Sequence, residues 1–165
     1  MAVATKISRE EYLATEFDRA CPDWIDGELL ERDAPRPSHQ WIEITGGKLL
    51  SACGLCSLNE LHLDMPDGLR VADVAAYREW PRDDYPDHPP LVTLEIASDS
   101  NRWNDTVDKA AAHWDWGVRH VWLFQPHRRA LYVFDQAGLH QVQVFEIPEL
   151  NLRITAADLL AGLPN

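Results

Sequence analysis

The heptapeptide LVTLEIA, residues 91–97, has the composition of a β-strand buried on both faces, but it carries a glutamate. The stretch VADVAA, residues 71–76, has the same form with an aspartate inside it. An ionised carboxylate in a poorly solvated strand is unfavourable unless a cation or several hydrogen-bond donors meet it. Because consecutive strands are usually neighbours in a sheet, Asp73 and Glu95 are expected to lie close together. Such a pair is typical of a shared divalent-cation site with oxygen ligands; the alternative is that both acids face solvent from half-exposed strands.

A helix is predicted over residues 104–116, directly after the second of these strands, and Gly117 stands where a helix end favours glycine. Asp105, Lys109 and His113 follow each other at spacings of four residues, so they form one polar stripe, predicted to lie opposite the apolar face of the helix. From this stripe Lys109 can reach back toward the end of the strand. The ordinary alternative is a surface ion pair between Asp105 and Lys109, worth a few tenths of a kcal/mol.

The rest of the chain alternates between helical and strand patterns. A helix capped by Ser8 opens it, and a helix over residues 38–52, weakened by two glycines, is predicted to turn Trp41 and Ile44 toward the core. Further strands are predicted over residues 60–64, 69–77, 120–124, 130–134 and 139–145, and a last helix begins after Thr155. The pattern predicts an α/β fold: one domain over residues 1–165, with helices flanking a mixed sheet.

The charge balance is acidic, with 15 Lys and Arg against 27 Asp and Glu and a formal net charge of −12. Such a chain repels a polyanion, which argues against a simple nucleic-acid clamp but not against an enzyme whose carboxylates hold a cation. The candidate phosphate contacts are scattered along the sequence, at Arg36, Arg102, Arg119, Arg128 and Arg129. Three cysteines, no long apolar segment and no secretory signal make a reducing, cytoplasmic location the expectation, without contact with a membrane.

Several short segments, in this order, resemble the Uma2 family of restriction-endonuclease-like proteins. The match covers most of the chain, and Asp105 and Lys109 follow Glu95 by ten and fourteen residues, as in that family. The matching segments are residues 10–13, 25–28, 37–39, 70–74, 94–98, 117–118, 122–123 and 152–160.

The resemblance implies a PD-(D/E)XK nuclease core and assigns its central residues. Asp73 and Glu95 take the places of the two acids of the motif, and together with the Ile96 carbonyl they would hold Mg²⁺ or Mn²⁺. Lys109 takes the place of the motif lysine, moved onto the following helix, since the usual lysine position holds Ala97. Lys109 would assist the attacking water or stabilise the developing negative charge.

Other residues receive accessory roles from the same resemblance. Glu28 is expected to be a further catalytic acid that positions metal or water, and His39 and Asp105 are expected to support the site. His113 supports it from a position where the family usually has a tyrosine.

The function implied by the resemblance is metal-dependent hydrolysis of DNA phosphodiester bonds. The protein would act as a homodimer, since related folds cut two strands with two copies of one site, and the strand near residues 139–145 is a candidate interface. The alternative is a non-catalytic nucleic-acid- or protein-binding module that keeps the nuclease fold. Convergence of Asp73, Glu95 and Lys109 in space would favour the enzyme.

The pair Cys53 and Cys56 raises a further alternative, a thioredoxin-like redox motif. Such a motif opens a helix after a strand, so that the helix N-terminus lowers the pKa of one thiol. Here the pair follows a predicted helix, and two half-buried structural thiols are expected instead.

Overall fold

The computed structural model describes residues 6–98 and 102–164, which form four α-helices and ten β-strands. The helices are α1 (Arg9–Ala14), α2 (Pro37–Ala52), α3 (Trp103–Trp116) and α4 (Ala156–Leu160). The strands are β1 (Asp23–Ile25), β2 (Glu28–Leu30), β3 (Cys56–Met65), β4 (Gly68–Tyr77), β5 (Val92–Ile96), β6 (His120–Gln125), β7 (Ala130–Asp135), β8 (Gly138–Val142), β9 (Phe145–Ile147) and β10 (Leu152–Ile154).

The central sheet is mixed, as predicted, and it contains eight strands. Its order is β2-β1-β4-β5-β6-β7-β8, with β3 also paired to β4, and β9 and β10 form a separate small sheet. The strands β5 and β6 run parallel because α3 connects them as a crossover, and the other neighbours are antiparallel. Apolar clusters lie on both faces of the sheet, one shared with α2 and α4 and others with α3.

One edge of β4 is unusual because two different strands, β1 and β5, pair with different parts of it. On one side β4 pairs with β3 at every residue except Asp73. On the other side, β1 pairs with Gly68 and Leu69, and β5 pairs with residues 74–76. Between these two pairings, residues 70–73 have no strand partner on this edge in the described part of the chain. Side chains replace the missing ladder: the Val71 N–H donates to Asp23 Oδ1 at 2.8 Å, and Lys109 Nζ donates to the Val71 carbonyl.

Helix α2 lies against the sheet through its glycines, so the predicted orientation of this helix is wrong. Trp41 and Ile44 are 40% and 45% exposed, whereas Ile42 is buried. A Cβ atom on Gly46 would stand 2.8 Å from Leu94 Cδ2, so this glycine allows the helix backbone to approach β5 closely. The close approach decides which face of the helix is buried, against the distribution of its largest apolar side chains.

The predicted helix caps are present. Ser8 caps α1 in a capping box with Glu11, and Thr155 caps α4 in the same way with Asp158. Gly117 ends α3 in the left-handed conformation, at φ 110°. None of the helices in the described ranges combines the length and apolar character needed to span a membrane.

Replacing Gly68 tests the junction between β1 and β4. The residue has φ +148°, and a Cβ atom there would lie 1.9 Å from the Trp24 carbonyl oxygen. We expect Gly68→Ala to lower the free energy of unfolding by at least about 3 kcal/mol, because the backbone must separate to admit the methyl group. The measurement is urea unfolding followed by tryptophan fluorescence.

The matched control is Gly138→Ala, at φ +86° with no atom within 4 Å of the added Cβ. It should lose only about 1 kcal/mol, the conformational penalty alone. Equal losses in the two variants would contradict the close approach at Gly68.

Candidate functional site

A cavity of about 370 Å³ opens where β1 and β5 diverge along β4. Six of the predicted catalytic, metal-binding and supporting residues line this cavity: His39, Asp73, Glu95, Ile96, Asp105 and Lys109. Two of the candidate phosphate contacts, Arg36 and Arg102, line it as well. The structure therefore brings together residues from α2, β4, β5 and α3.

Glu95 is buried and held by two donors from α3. Its side chain is 3% exposed, with Oε2 at 2.8 Å from Lys109 Nζ and Oε1 at 3.1 Å from His113 Nε2. Burial by itself lowers the pKa of Lys109, but the nearby carboxylates, Glu95 first among them, raise it above its ordinary value. Lys109 is therefore a cation at neutral pH, fixed between Glu95 and the Val71 carbonyl.

The polar stripe of α3 thus faces the sheet, which corrects its predicted position opposite the core. His113 is fully buried, Lys109 is 9% exposed, and only Asp105 is exposed. The reason is the buried Glu95 carboxylate, which needs donors and receives one on each oxygen. His113 does not line the cavity; it lies behind Glu95 and forms a hydrogen bond with this carboxylate.

Asp73 is the second buried acid. Arg32 Nη2 donates to its Oδ1 at 2.8 Å and the Ile96 N–H donates to its Oδ2 at 2.8 Å. His39 Nε2 lies 3.6 Å from the same Oδ2. Burial raises the pKa of Asp73, but His39, Lys109 and Arg32 together outweigh it and hold this pKa well below the ordinary value. Asp73 is therefore ionised at neutral pH.

Glu43 completes the α2 side of the site, and sequence reasoning missed it. Its side chain is 5% exposed, and its Oε1 lies 3.0 Å from His39 Nε2. Burial raises the pKa of Glu43 to about 7; the contact with His39 opposes this rise, and the carboxylates of Asp73 and Glu60 add to it. Burial lowers the pKa of His39, but contacts with Asp73 and Glu43 raise it to about 10. The spacing of four residues between His39 and Glu43 was the available signal.

Arg32 was also missed, because it lies in an irregular segment after β2. Its guanidinium bridges two acids, with Glu60 Oε2 at 2.7 Å from Nη1 and Asp73 Oδ1 at 2.8 Å from Nη2. Burial lowers the pKa of Arg32, but the carboxylates of Glu60 and Asp73 raise it by more, so this pKa lies above its ordinary value. Arg32 thus supplies a permanent positive charge beside Asp73.

Glu28 does not reach this site. Its side chain on β2 is 54% exposed, lies 3.9 Å from Lys6 Nζ and is not part of the cavity lining. The turn between β1 and β2 is formed by Asp26 and Gly27, both at positive φ. Glu28 follows it directly and pairs with Ile25, which leaves its side chain outside the cavity.

The cysteine pair has the predicted environment. Cys53 and Cys56 are both half-buried and free, and they lie at the end of α2 and the start of β3. No helix begins at either thiol, so the structure provides no helix N-terminus to activate them.

The donor set where α2 meets β4 fits a divalent cation, and two of its residues, His39 and Asp73, line the cavity. Ligand atoms of His39, Glu43 and Asp73 all lie within 4.8 Å of one another. Glu43 Oε1 is buried, and its contact is His39 Nε2 at 3.0 Å. Divalent metals such as Mn²⁺ accept carboxylate oxygens and an imidazole nitrogen, which must lose its proton when the metal binds.

Comparisons with known proteins agree with this architecture. A crystal structure of a "putative nuclease belonging to DUF820" from Anabaena variabilis superposes with a TM-score of 0.82 at 17% sequence identity, covering 94% of this chain and 98% of the other. At this identity the likeness establishes a shared fold. A search of curated proteins finds no match. The sequence model of the Uma2 family, described as "putative restriction endonuclease", matches residues 9–163. This chain therefore belongs to the Uma2 family.

Proposed function

We propose that this protein is a metal-dependent nuclease that hydrolyses phosphodiester bonds in DNA. The observation that carries the proposal is the convergence of Asp73, Glu95 and Lys109 at one cavity. Lys109 Nζ contacts Glu95 and the backbone of Val71, two residues before Asp73. A binding module that keeps only the fold has no need to bury two carboxylates and a lysine together, since each is costly to desolvate.

The proposed roles follow from these contacts. Asp73, Glu95 and the Ile96 carbonyl would hold Mg²⁺ or Mn²⁺. Such an ion, when bound, acidifies a water molecule and neutralises charge on the phosphodiester. Lys109 orients the attacking water and stabilises the negative charge that develops on the phosphate. Because Glu95 and the Val71 carbonyl both hold its ammonium group, Lys109 keeps its position before the substrate binds.

The charge of the cavity supports metal dependence. Seven carboxyl groups line it against four Lys and Arg side chains: Asp23, Glu31, Asp33, Glu60, Asp73, Glu95 and Asp105 against Arg32, Arg36, Arg102 and Lys109. A phosphodiester approaching this lining is repelled unless added positive charge compensates. We therefore expect DNA to enter the cavity only with the cation.

The arginines nearest the cavity are the proposed contacts for the DNA backbone. Arg102 lines it, and Arg128 and Arg129 come two and three residues after Pro126, which also lines it. Both Arg128 and Arg129 are exposed. Arg119 precedes β6 and so lies at the other end of that strand. Arg36 also lines the cavity, so four of the five scattered arginines lie near it and Arg119 is the distant one.

The homodimer stays a prediction within this proposal. Strand β8 ends the central sheet, and in the described part of the chain its outer edge has no strand partner. This edge is the place where a second copy would pair, as the sequence pattern over residues 139–145 suggested.

Substitutions of Asp73 and Lys109 test the proposed activity. Asp73→Asn and Lys109→Met should each reduce Mg²⁺- or Mn²⁺-dependent nicking of supercoiled DNA at least about 100-fold, because each removes a charge proposed to act on the reacting phosphate. Asp108→Asn changes an exposed carboxylate beside Lys109 and should leave the rate within about 2-fold. Linear and single-stranded DNA are tested in parallel with identically purified proteins.

Two results would contradict the proposal. Cutting that persists in both Asp73→Asn and Lys109→Met would be due to a contaminant. If no substrate is cut by the wild-type protein with either metal, the non-catalytic binding module becomes the better interpretation.

The arginine positions generate a separate prediction about DNA binding. In a Lys109→Met background with Mg²⁺, replacing both Arg128 and Arg129 by Ala should weaken binding of labelled DNA at least about 5-fold and flatten its salt dependence, because two phosphate contacts are lost. Arg119→Ala should change neither quantity. Fluorescence anisotropy over a salt series measures both, and equal effects of the near and distant arginines would contradict the assignment.

A further inference from the structure

We propose that Arg32 binds a phosphate of the DNA, and that its guanidinium becomes available for this contact only when a divalent cation takes Asp73 from it. The inference deepens the proposed function, on which it rests through the cation and the DNA substrate. It makes Arg32 the counter-ion of Asp73 before the cation binds and a substrate contact afterwards.

Two acids stand opposite each other on β3 and β4, at Glu60 and Asp73. The two strands pair on either side of this position but not at it. Glu60 has φ +51°, a left-handed conformation that glutamate rarely adopts within a strand. Two carboxylates at directly opposite positions of a sheet repel each other, so this position needs a positive charge between them.

Arg32 supplies this charge through two separate groups of contacts. Its Nη1 donates to Glu60 Oε2 at 2.7 Å and its Nη2 donates to Glu60 Oε1 at 3.2 Å. The same Nη2 donates to Asp73 Oδ1 at 2.8 Å. Each Nη atom carries two N–H groups, so Nη2 can serve both acids at once. The contacts with Glu60 therefore hold the guanidinium in the cavity even when the contact with Asp73 is lost.

The two oxygens of Asp73 differ in how easily their donors can leave. Oδ2 accepts from the Ile96 N–H at 2.8 Å, a donor fixed in the backbone of β5, and His39 Nε2 lies 3.6 Å from the same oxygen. The donor to Oδ1 belongs to a side chain from the irregular segment between β2 and α2. A cation that coordinates Asp73 therefore competes with Arg32 at Oδ1, and the charge of Arg32 opposes cation binding.

Arg32 has the chemistry of a phosphate contact once Asp73 no longer occupies it. Its side chain is 14% exposed and lines the same cavity as Glu95 and Lys109. Guanidinium N–H groups form charge-assisted hydrogen bonds with phosphate oxygens. Because Asp73 holds one of these N–H groups until a cation replaces it, the cation and the phosphate are expected to bind cooperatively.

The first test measures cation binding by the full chain in the absence of DNA. In titration calorimetry, Arg32→Gln should bind Mg²⁺ at least about 5-fold more tightly than the wild type, because a competing charge is removed. Arg36→Gln removes the same charge from an exposed position of the cavity lining and should change the affinity by less than about 2-fold. Unchanged or weaker binding by Arg32→Gln would overturn the inference, since that is the effect of an arginine that only supports Asp73.

The second test measures DNA binding by fluorescence anisotropy in the Lys109→Met background. At saturating Mg²⁺, adding Arg32→Gln should weaken binding at least about 5-fold and reduce the salt slope by about one. With EDTA in place of Mg²⁺, the same substitution should change the affinity by less than about 2-fold, because Asp73 then holds the guanidinium. Arg119→Ala is the control and should have no effect in either condition. An effect of Arg32→Gln that is equal in both conditions would contradict the proposed release.

A measurement on the wild-type protein does not depend on the stability of the variants. In protein labelled with ¹⁵N-arginine, the guanidinium signals of Arg32 are identified by their loss in Arg32→Gln. They should shift when Mg²⁺ is added, because the contact with Asp73 is lost. Signals that stay unchanged at saturating Mg²⁺ would show that Arg32 remains on Asp73 and would overturn the inference.

These readouts separate the role of Arg32 from the proposed function. If no DNA is cut while Arg32→Gln tightens Mg²⁺ binding and weakens DNA binding only with Mg²⁺, the role of Arg32 stands and hydrolysis does not. If DNA is cut but Arg32→Gln leaves Mg²⁺ binding unchanged, the activity stands and the inference is wrong.

Discussion

The unpaired stretch of β4 between β1 and β5 is the constraint on which the rest of the site depends. A buried backbone donor or acceptor without a partner is unfavourable, so residues 70–73 need side chains in place of a strand. Asp23 and Lys109 meet the polar groups of Val71, and Asp73 accepts from the Ile96 N–H across the gap. The same contacts that complete the backbone hydrogen bonding therefore position a lysine and an aspartate at the cavity. Stability and the candidate chemistry share these residues.

Charge balance is the second requirement of this arrangement. Arg32 neutralises Asp73 and Glu60, and Lys109 neutralises Glu95, so two of the buried acids have a cation within 2.8 Å. Glu43 has no such permanent partner, which is why burial and its neighbouring carboxylates raise its pKa to about 7. In a protein with a net charge of −12, this surplus of carboxylates at one cavity supports the proposed divalent cation over a surface for nucleic acid alone.

The parts of the site that were predicted from the sequence are those with a strong local signal. An acid inside a strand of otherwise buried type is conspicuous, and the consecutive strands carrying Asp73 and Glu95 are neighbours, as β4 and β5. The spacing from Glu95 to Lys109 was interpretable through the family resemblance. Arg32 has no such signal, because its role arises from the packing of an irregular segment against β4. Glu43 has only a weak one, its spacing of four residues from His39.

Burial was the point on which sequence reasoning was wrong. The apolar residues of α2 suggested that Trp41 faced the core, and the polar stripe of α3 was predicted to lie opposite the apolar face of the helix, although Lys109 was expected to reach back toward the strand. In the structure the glycines of α2 and the buried Glu95 decide these orientations. Both depend on tertiary contacts that hydrophobic periodicity does not contain.

The most direct test of the central claim is a crystal structure of the protein grown with Mn²⁺, with an anomalous-difference map collected at the manganese edge. The account predicts an anomalous peak in the cavity where β1 and β5 diverge along β4, within coordination distance of Asp73. A map without a peak there, with Arg32 still bound to Asp73, would contradict the claim that this cavity is a metal centre.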